Sequence, residues 1–125
     1  MPRVLPLIAV VDDNASVHKA LRRLLRSAGF SVETYSSGRE FLESIQSHEP
    51  DCLVLDLHMP EINGFDVHAH LRRVGATFPV VMITGHDSSE LRLRVLRDGA
   101  KAYLCKPLDE SVLLEAIGAA MSGQP

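Results

Sequence analysis

Residues 52–56, CLVLD, place four consecutive apolar side chains directly before a carboxylate, with His48-Glu49-Pro50 breaking the chain ahead of them. A strand with one face in water alternates apolar and polar residues, so an unbroken apolar run implies a strand buried on both faces. This strand is therefore the expected centre of a parallel sheet. The chain on either side agrees, because short apolar or β-branched runs alternate with helical patterns, as in a parallel sheet covered by helices on both faces.

Working back from residue 52, Ser37 to Gln46 reads as a helix with Phe41, Leu42 and Ile45 inward, and Ser31 to Tyr35 as a strand. Before them, Val17, Leu21, Leu24, Leu25 and Ala28 form one stripe of a helix that Asn14 or Ser16 caps and Gly29 closes. The first strand, Leu7 to Val11, ends at Asp12. Working forward, a weaker helix spans Gly64 to Val74, and a strand from Val80 to Thr84 follows Pro79. Ser88 to Asp98 is a helix stopped by Gly99, Ala102 to Cys105 is the fifth strand, and Asp109 caps a last helix through Met121 with Val112, Leu113, Ala116 and Ile117 inward. On the fourth helix, Leu93 and Leu96 are expected on the sheet and Leu91 with Val95 in an exposed apolar patch. The expected fold is α/β, a doubly wound five-stranded parallel sheet of flavodoxin-like order 2-1-3-4-5 with five helices. Right-handed crossovers make that order plausible; periodicity alone does not prove it.

A chain of 125 residues, 46% hydrophobic, suits one domain, expected over 1–121 with 122–125 as a tail or the start of a linker. A formal charge of -3 and a pI near 6.0 supply no basic field, so direct nucleic-acid binding by this chain is not expected. The opening MPRVLPLIAVVDDN has too short an apolar run for a signal peptide, and no span approaches the ~20 apolar residues that cross a bilayer. The expectation is a cytoplasmic protein away from the membrane. Cys52 and Cys105 lie within strand-like runs as free core thiols, and no Cys/His spacing resembles a zinc site.

The polar residues that terminate these runs carry the chemistry: Asp12 and Asp13 after the first, Asp56 after the third, Thr84 after the fourth and Lys106 after the fifth. In a parallel sheet they meet at one edge. Three carboxylates there repel one another unless a cation is present, and an oxygen-only donor set with room for water and phosphate oxygens favours Mg²⁺ over Ca²⁺. An aspartate beside Mg²⁺, an ammonium and a hydroxyl is equipment for phosphoryl transfer onto carboxylate. Asp56 is the expected nucleophile, with Lys106 and Thr84 on the phosphoryl oxygens. Any one of these residues alone is more often a helix cap or a solvated loop position; it is their shared edge that counts.

The segments VVDDN, LDLHMPEINGFD, VVMITGH and YLCKPL resemble, in order, the four signature segments of response-regulator receiver domains of two-component signalling, and the resemblance covers essentially the whole chain. It implies that Asp56 is phosphorylated by a histidine kinase, that Asp13 binds Mg²⁺ directly with Asp12 assisting, and that the backbone carbonyl of His58 is a further ligand. It implies that Thr84 and Tyr103 form a switch pair acting on the face of the fourth helix, fifth strand and fifth helix. It also implies a cis peptide between Lys106 and Pro107, a rigid loop at Met59-Pro60, a positive φ at Gly64, and a small residue, Gly85, that keeps the path to Asp56 open. His58 and His86 are implied to flank the phosphoryl group, while His18, His48, His68 and His70 read as residues without a site. The segment ITGH is most like regulators joined to a helix-turn-helix output domain, so transcription is the expected output, through that domain or a downstream protein, with a phosphorylation-dependent homodimer.

On this reading the chain is no enzyme in the ordinary sense, although it supplies the groups for its own phosphorylation and dephosphorylation. Two other readings are weaker. An aspartyl-nucleophile phosphohydrolase commonly has its nucleophile on the first strand and a second Asp two places on, and an unphosphorylated receiver-like interaction module usually lacks one of the acidic residues present here.

Overall fold

The computed structural model describes residues 5–123. Gln124 and Pro125 of the expected tail lie outside them. The elements alternate without exception: β1 (Leu7–Val11), α1 (Ala15–Ser27), β2 (Ser31–Tyr35), α2 (Gly38–Ser44), β3 (Cys52–Asp56), α3 (Gly64–Arg73), β4 (Val80–Thr84), α4 (Ser89–Arg97), β5 (Ala102–Cys105) and α5 (Glu110–Met121). The strands form one parallel sheet of order β2-β1-β3-β4-β5, as expected. Every residue of β3 and β4 is buried, which is why CLVLD carries no polar alternation.

Successive strand side chains point to opposite faces, so each strand feeds two cores. Ala9, Val11, Leu53, Leu55, Val80, Met82 and Tyr103 pack in a layer with Phe41, Val67, Leu71 and Val95, beneath α2, α3 and α4. Ile8, Val10, Cys52, Val54, Val81 and Ile83 pack on the other face with Leu21, Leu25, Leu113 and Ile117 from α1 and α5. Burial pushes the Cys52 thiol up to about 12, so it behaves as a hydrophobe.

Side-chain caps start each helix. Asn14, rather than Ser16, caps α1 by accepting the Ser16 N–H at 2.8 Å, and Asn63 with Asp66 forms a reciprocal capping box on α3. That box makes α3 a well-founded helix despite its weak apolar pattern.

Four expectations need correction. On α4 it is Val95, fully buried, and the half-buried Leu91 that face the sheet, whereas Leu93 and Leu96 are 62% and 39% exposed. Two apolar pairs at helical spacing were available, and the docking angle of the helix chose between them. Val112 on α5 is exposed, because the inward stripe is Leu113, Ile117 and Ala120. Ala28 is the exposed C-cap of α1 rather than part of its stripe.

The positive φ in the loop after β3 belongs to Glu61, at 66°, and not to Gly64. Gly64 is needed for space: a Cβ there would stand 2.6 Å from the Asp56 carbonyl oxygen and 2.8 Å from Leu57 Cα. Both neighbours are backbone and cannot turn aside. Gly64→Ala is therefore expected to destabilise the fold by about 1–3 kcal/mol in urea or thermal melts, the usual penalty of overpacking, and to displace Asp56. An unchanged midpoint would show that the loop yields freely.

Candidate functional site at the carboxyl edge of the sheet

The strand register sets the site. Val11 pairs with Leu55, so Asp12 and Asp56 stand level on adjacent strands, and Thr84 pairs with Cys105, so Lys106 lies one step beyond. Pleat parity then sorts them. Asp12, Asp56 and Lys106 continue the alternation of the α1/α5 face, while Thr84 and Tyr103 belong to the opposite face with Met82.

Asp12 is fully buried and Asp56 is 3% exposed. Lys106 Nζ lies 2.8 Å from Asp12 Oδ2 and 3.7 Å from Asp56 Oδ1. Asp12 Oδ1 accepts the Asn14 N–H at 2.9 Å; Oδ2, though close to the ammonium, receives no well-aligned hydrogen bond. Asp56 Oδ1 is only weakly engaged by the His58 N–H at 3.5 Å. Asp13 is exposed, and one carboxylate oxygen from each of Asp12, Asp13 and Asp56 falls within a 4.8 Å cluster. Asp13, Asn14, Asp56, His58, Gly85, His86 and Lys106 line an open pocket of about 310 Å³ over this cluster. Larger and more apolar grooves lie along α1 and contain no part of the carboxylate group.

Burial, and after it the Asp12 carboxylate, push Asp56 up to about 6, against the opposing pull of Lys106 and the His58 N–H. One ammonium does not balance three clustered carboxylates. The surplus negative charge, the poorly aligned Asp12 Oδ2 and an all-oxygen donor set fit a hard divalent cation. Asp12, Asp13 and Asp56 are the side chains that would hold it.

Thr84 is buried, and its hydroxyl turns away from the pocket: it accepts the His86 N–H at 3.0 Å and donates to the His86 carbonyl at 3.3 Å. The Tyr103 hydroxyl accepts the Ser88 N–H at 3.1 Å and lies 3.4 Å from the same His86 carbonyl. Both hydroxyls thus meet on one backbone oxygen at the start of the β4–α4 loop. The Lys106–Pro107 peptide is cis.

Residues 8–118 match the family model of the response regulator receiver domain. The chain belongs to this family. It is 38% identical over 119 residues to the response regulator protein TodT of Pseudomonas putida, covering 95% of this chain and 52% of TodT. Among solved structures, a response regulator receiver protein from Burkholderia phymatum is 43% identical with a TM-score of 0.84, covering 94% of this chain and 95% of that one. The chemotaxis protein CheY4 of Vibrio cholerae, 28% identical, superposes with a TM-score of 0.86 over 94% of this chain and 99% of its own. The receiver spans about half the length of curated relatives such as TodT. No helix among the described residues is long and apolar enough to cross a membrane.

Two residues of the receiver's site were not singled out as such from sequence. Asn14, read only as a cap, also lines the pocket and donates its backbone N–H to Asp12. His18, read as a surface residue, is half-buried, and its Nε2 lies 2.5 Å from the Asp12 carbonyl, bracing the acidic loop against α1. Its spacing of six residues from Asp12 was the available signal, one that helix geometry makes meaningful only once the Asn14 cap fixes where α1 begins. His68 is buried on α3, where burial first and Arg72 second hold it below the ordinary histidine range, and it takes no part in the site.

Proposed function

We propose that this receiver is a phosphorelay switch in which Asp56 accepts a phosphoryl group from a phosphohistidine of a histidine kinase. The observation that carries the reading is the gathering of Asp12, Asp13, Asp56 and Lys106 under one open pocket. An Asp56 carboxylate oxygen attacks phosphorus, the O–P bond forms as the donor's N–P bond breaks, and the leaving imidazole takes up a proton. Bound Mg²⁺ would neutralise charge on the phosphoryl oxygens. Lys106 is within reach to pair with a further oxygen once the carboxylates have a second counter-charge.

Thr84 is the proposed sensor. To donate to a phosphoryl oxygen its hydroxyl must leave the His86 carbonyl, which also receives Tyr103, so the β4–α4 loop and the Tyr103 ring are biased together. The α4–β5–α5 face is the proposed output surface, acting on transcription through an output domain or a downstream protein. The receiver domain is proposed to occupy 1–121. A phosphorylation-dependent homodimer would use exposed apolar residues of that face such as Leu93 and Leu96, since Leu91 and Val95 are packed in the core.

Incubation with acetyl phosphate and Mg²⁺, read by intact-mass measurement, tests the reading. One added phosphoryl mass is expected, and none with chelator. Labelling that ignores chelator would remove the metal from the proposal.

His58 and His86 stand over the pocket with ring centroids 5.6 Å apart. Hydrolysis of the acyl phosphate needs a water in line with phosphorus, and two bulky rings at the mouth obstruct its approach. The phosphorylated His86→Ala and His58→Ala forms are expected to decay several-fold faster than the parent. Slower decay in either would make that imidazole a base that orients the water.

A further inference from the structure

All six histidines lie among the described residues, and four are accounted for by their surroundings. His18 rests on the Asp12 carbonyl, His48 pairs with Glu33 at 2.7 Å, His68 is buried and His70 contacts Arg73. His58 and His86 differ. Both are exposed, neither ring makes a hydrogen bond among the described residues, and they face each other across the pocket that Asp56 and Asp13 also line.

We propose that His58 and His86, with the Asp56 carboxylate between them, form a site for a borderline divalent cation of the zinc class, separate in chemistry from the all-oxygen cluster below. Two imidazoles bound to one tetrahedral ion at about 2.0–2.1 Å have ring centroids about 5 Å apart, close to the 5.6 Å observed. The rings stand outside the tight carboxylate cluster in their present rotamers, so binding turns them inward about χ1 and χ2, a motion open to exposed side chains. Gly85, between Thr84 and His86, has open space around its Cα and does not obstruct that turn.

The donor set decides the ion. Oxygen ligands alone hold Mg²⁺, whereas two imidazole nitrogens added to a carboxylate shift preference toward zinc and its neighbours. The surplus negative charge of Asp12, Asp13 and Asp56 over Lys106 favours any dication at the mouth. A zinc ion on Asp56 occupies the oxygen that attacks phosphorus, so zinc and the phosphoryl group exclude each other. That exclusion rests on Asp56 being the phosphoacceptor; the cation site does not.

Calorimetric titration of Zn²⁺ into the whole chain, with Mg²⁺ present, tests the site directly. One equivalent is expected to bind, with affinity at least ~10-fold weaker in His58→Ala and in His86→Ala and unchanged in His48→Ala. Both alanine changes fall on exposed side chains and leave the core untouched. Equal affinity in parent and both variants, no saturable binding, or loss of binding in His48→Ala would overturn the site. Acetyl phosphate labelling with Mg²⁺ is then run with and without zinc. Zinc is expected to slow labelling of the parent ~10-fold or more and to leave the double variant unaffected; equal slowing of both would overturn the exclusion. A parent that takes no label without zinc would refute the phosphoacceptor reading alone, since the titration judges the cation site independently.

Discussion

Asp56→Asn is expected to take no phosphoryl group from acetyl phosphate and, without metal, to be more stable than the parent above pH about 6. The first effect follows from the nucleophile: an amide oxygen carries no charge, and no other described carboxylate combines burial with contact to Lys106 and a place in the pocket lining. The second follows from linkage. The folded Asp56 sits at about 6 against an ordinary 3.8, so between these values the native state holds a proton that the unfolded chain has released. Stability from this group is therefore fully present below about 3.8 and lost as pH rises through about 6. A shift of this size corresponds to about 1–3 kcal/mol. Melts of parent and variant in chelator should diverge by that amount between pH 4 and pH 7, and added Mg²⁺ should close the gap by stabilising the parent. Parallel pH profiles would mean that the cluster is solvated well enough to carry its charge, and labelled Asp56→Asn would move the nucleophile elsewhere.

Lys106→Ala is expected to act in the opposite direction on the fold. Its ammonium is 2.8 Å from an oxygen of the fully buried Asp12, and removing one partner of such a pair leaves a buried charge uncompensated. A quarter of the Lys106 side chain is exposed, which admits water and lowers the penalty, so a loss of about 2–4 kcal/mol is expected in metal-free melts at neutral pH. Labelling should fall ~10²-fold, the usual consequence of losing one donor aimed at developing charge. Lys106→Arg separates the two roles. It keeps the positive charge and should recover most of the stability, while its planar fork cannot reproduce a point contact and labelling stays low. If Lys106→Ala melts like the parent, Asp12 is not held as an ion by Lys106.

Much of this was already determined by the order of residues along the chain. CLVLD could only be a strand buried on both faces, and the alternation around it left a parallel sheet with helices on each side as the one way to cover it. Because every strand of such a sheet runs the same way, the residues that end the runs had to meet, and Asp12, Asp13, Asp56 and Lys106 do. Periodicity is a one-dimensional quantity, and it sufficed wherever each element had a single apolar solution.

Where an element had two, docking decided. Leu91 with Val95 and Leu93 with Leu96 are equally spaced on α4, and only the contact with the sheet put the first pair inside. Gly64 is a glycine because the Asp56 backbone passes within 2.6 Å of where its Cβ would stand, a crossing of segments eight residues apart that local pattern does not contain. His18 was likewise unreadable as a brace for the acidic loop until the Asn14 cap set the phase of α1. Thr84 and Tyr103 are nineteen positions apart in the chain, yet both hydroxyls reach the His86 carbonyl, because pleat parity puts them on one face and the β4–α4 turn brings that oxygen between them. The sequence determined which groups share an edge; the distances and the faces they present, set by packing between elements remote in the chain, came only with the tertiary structure.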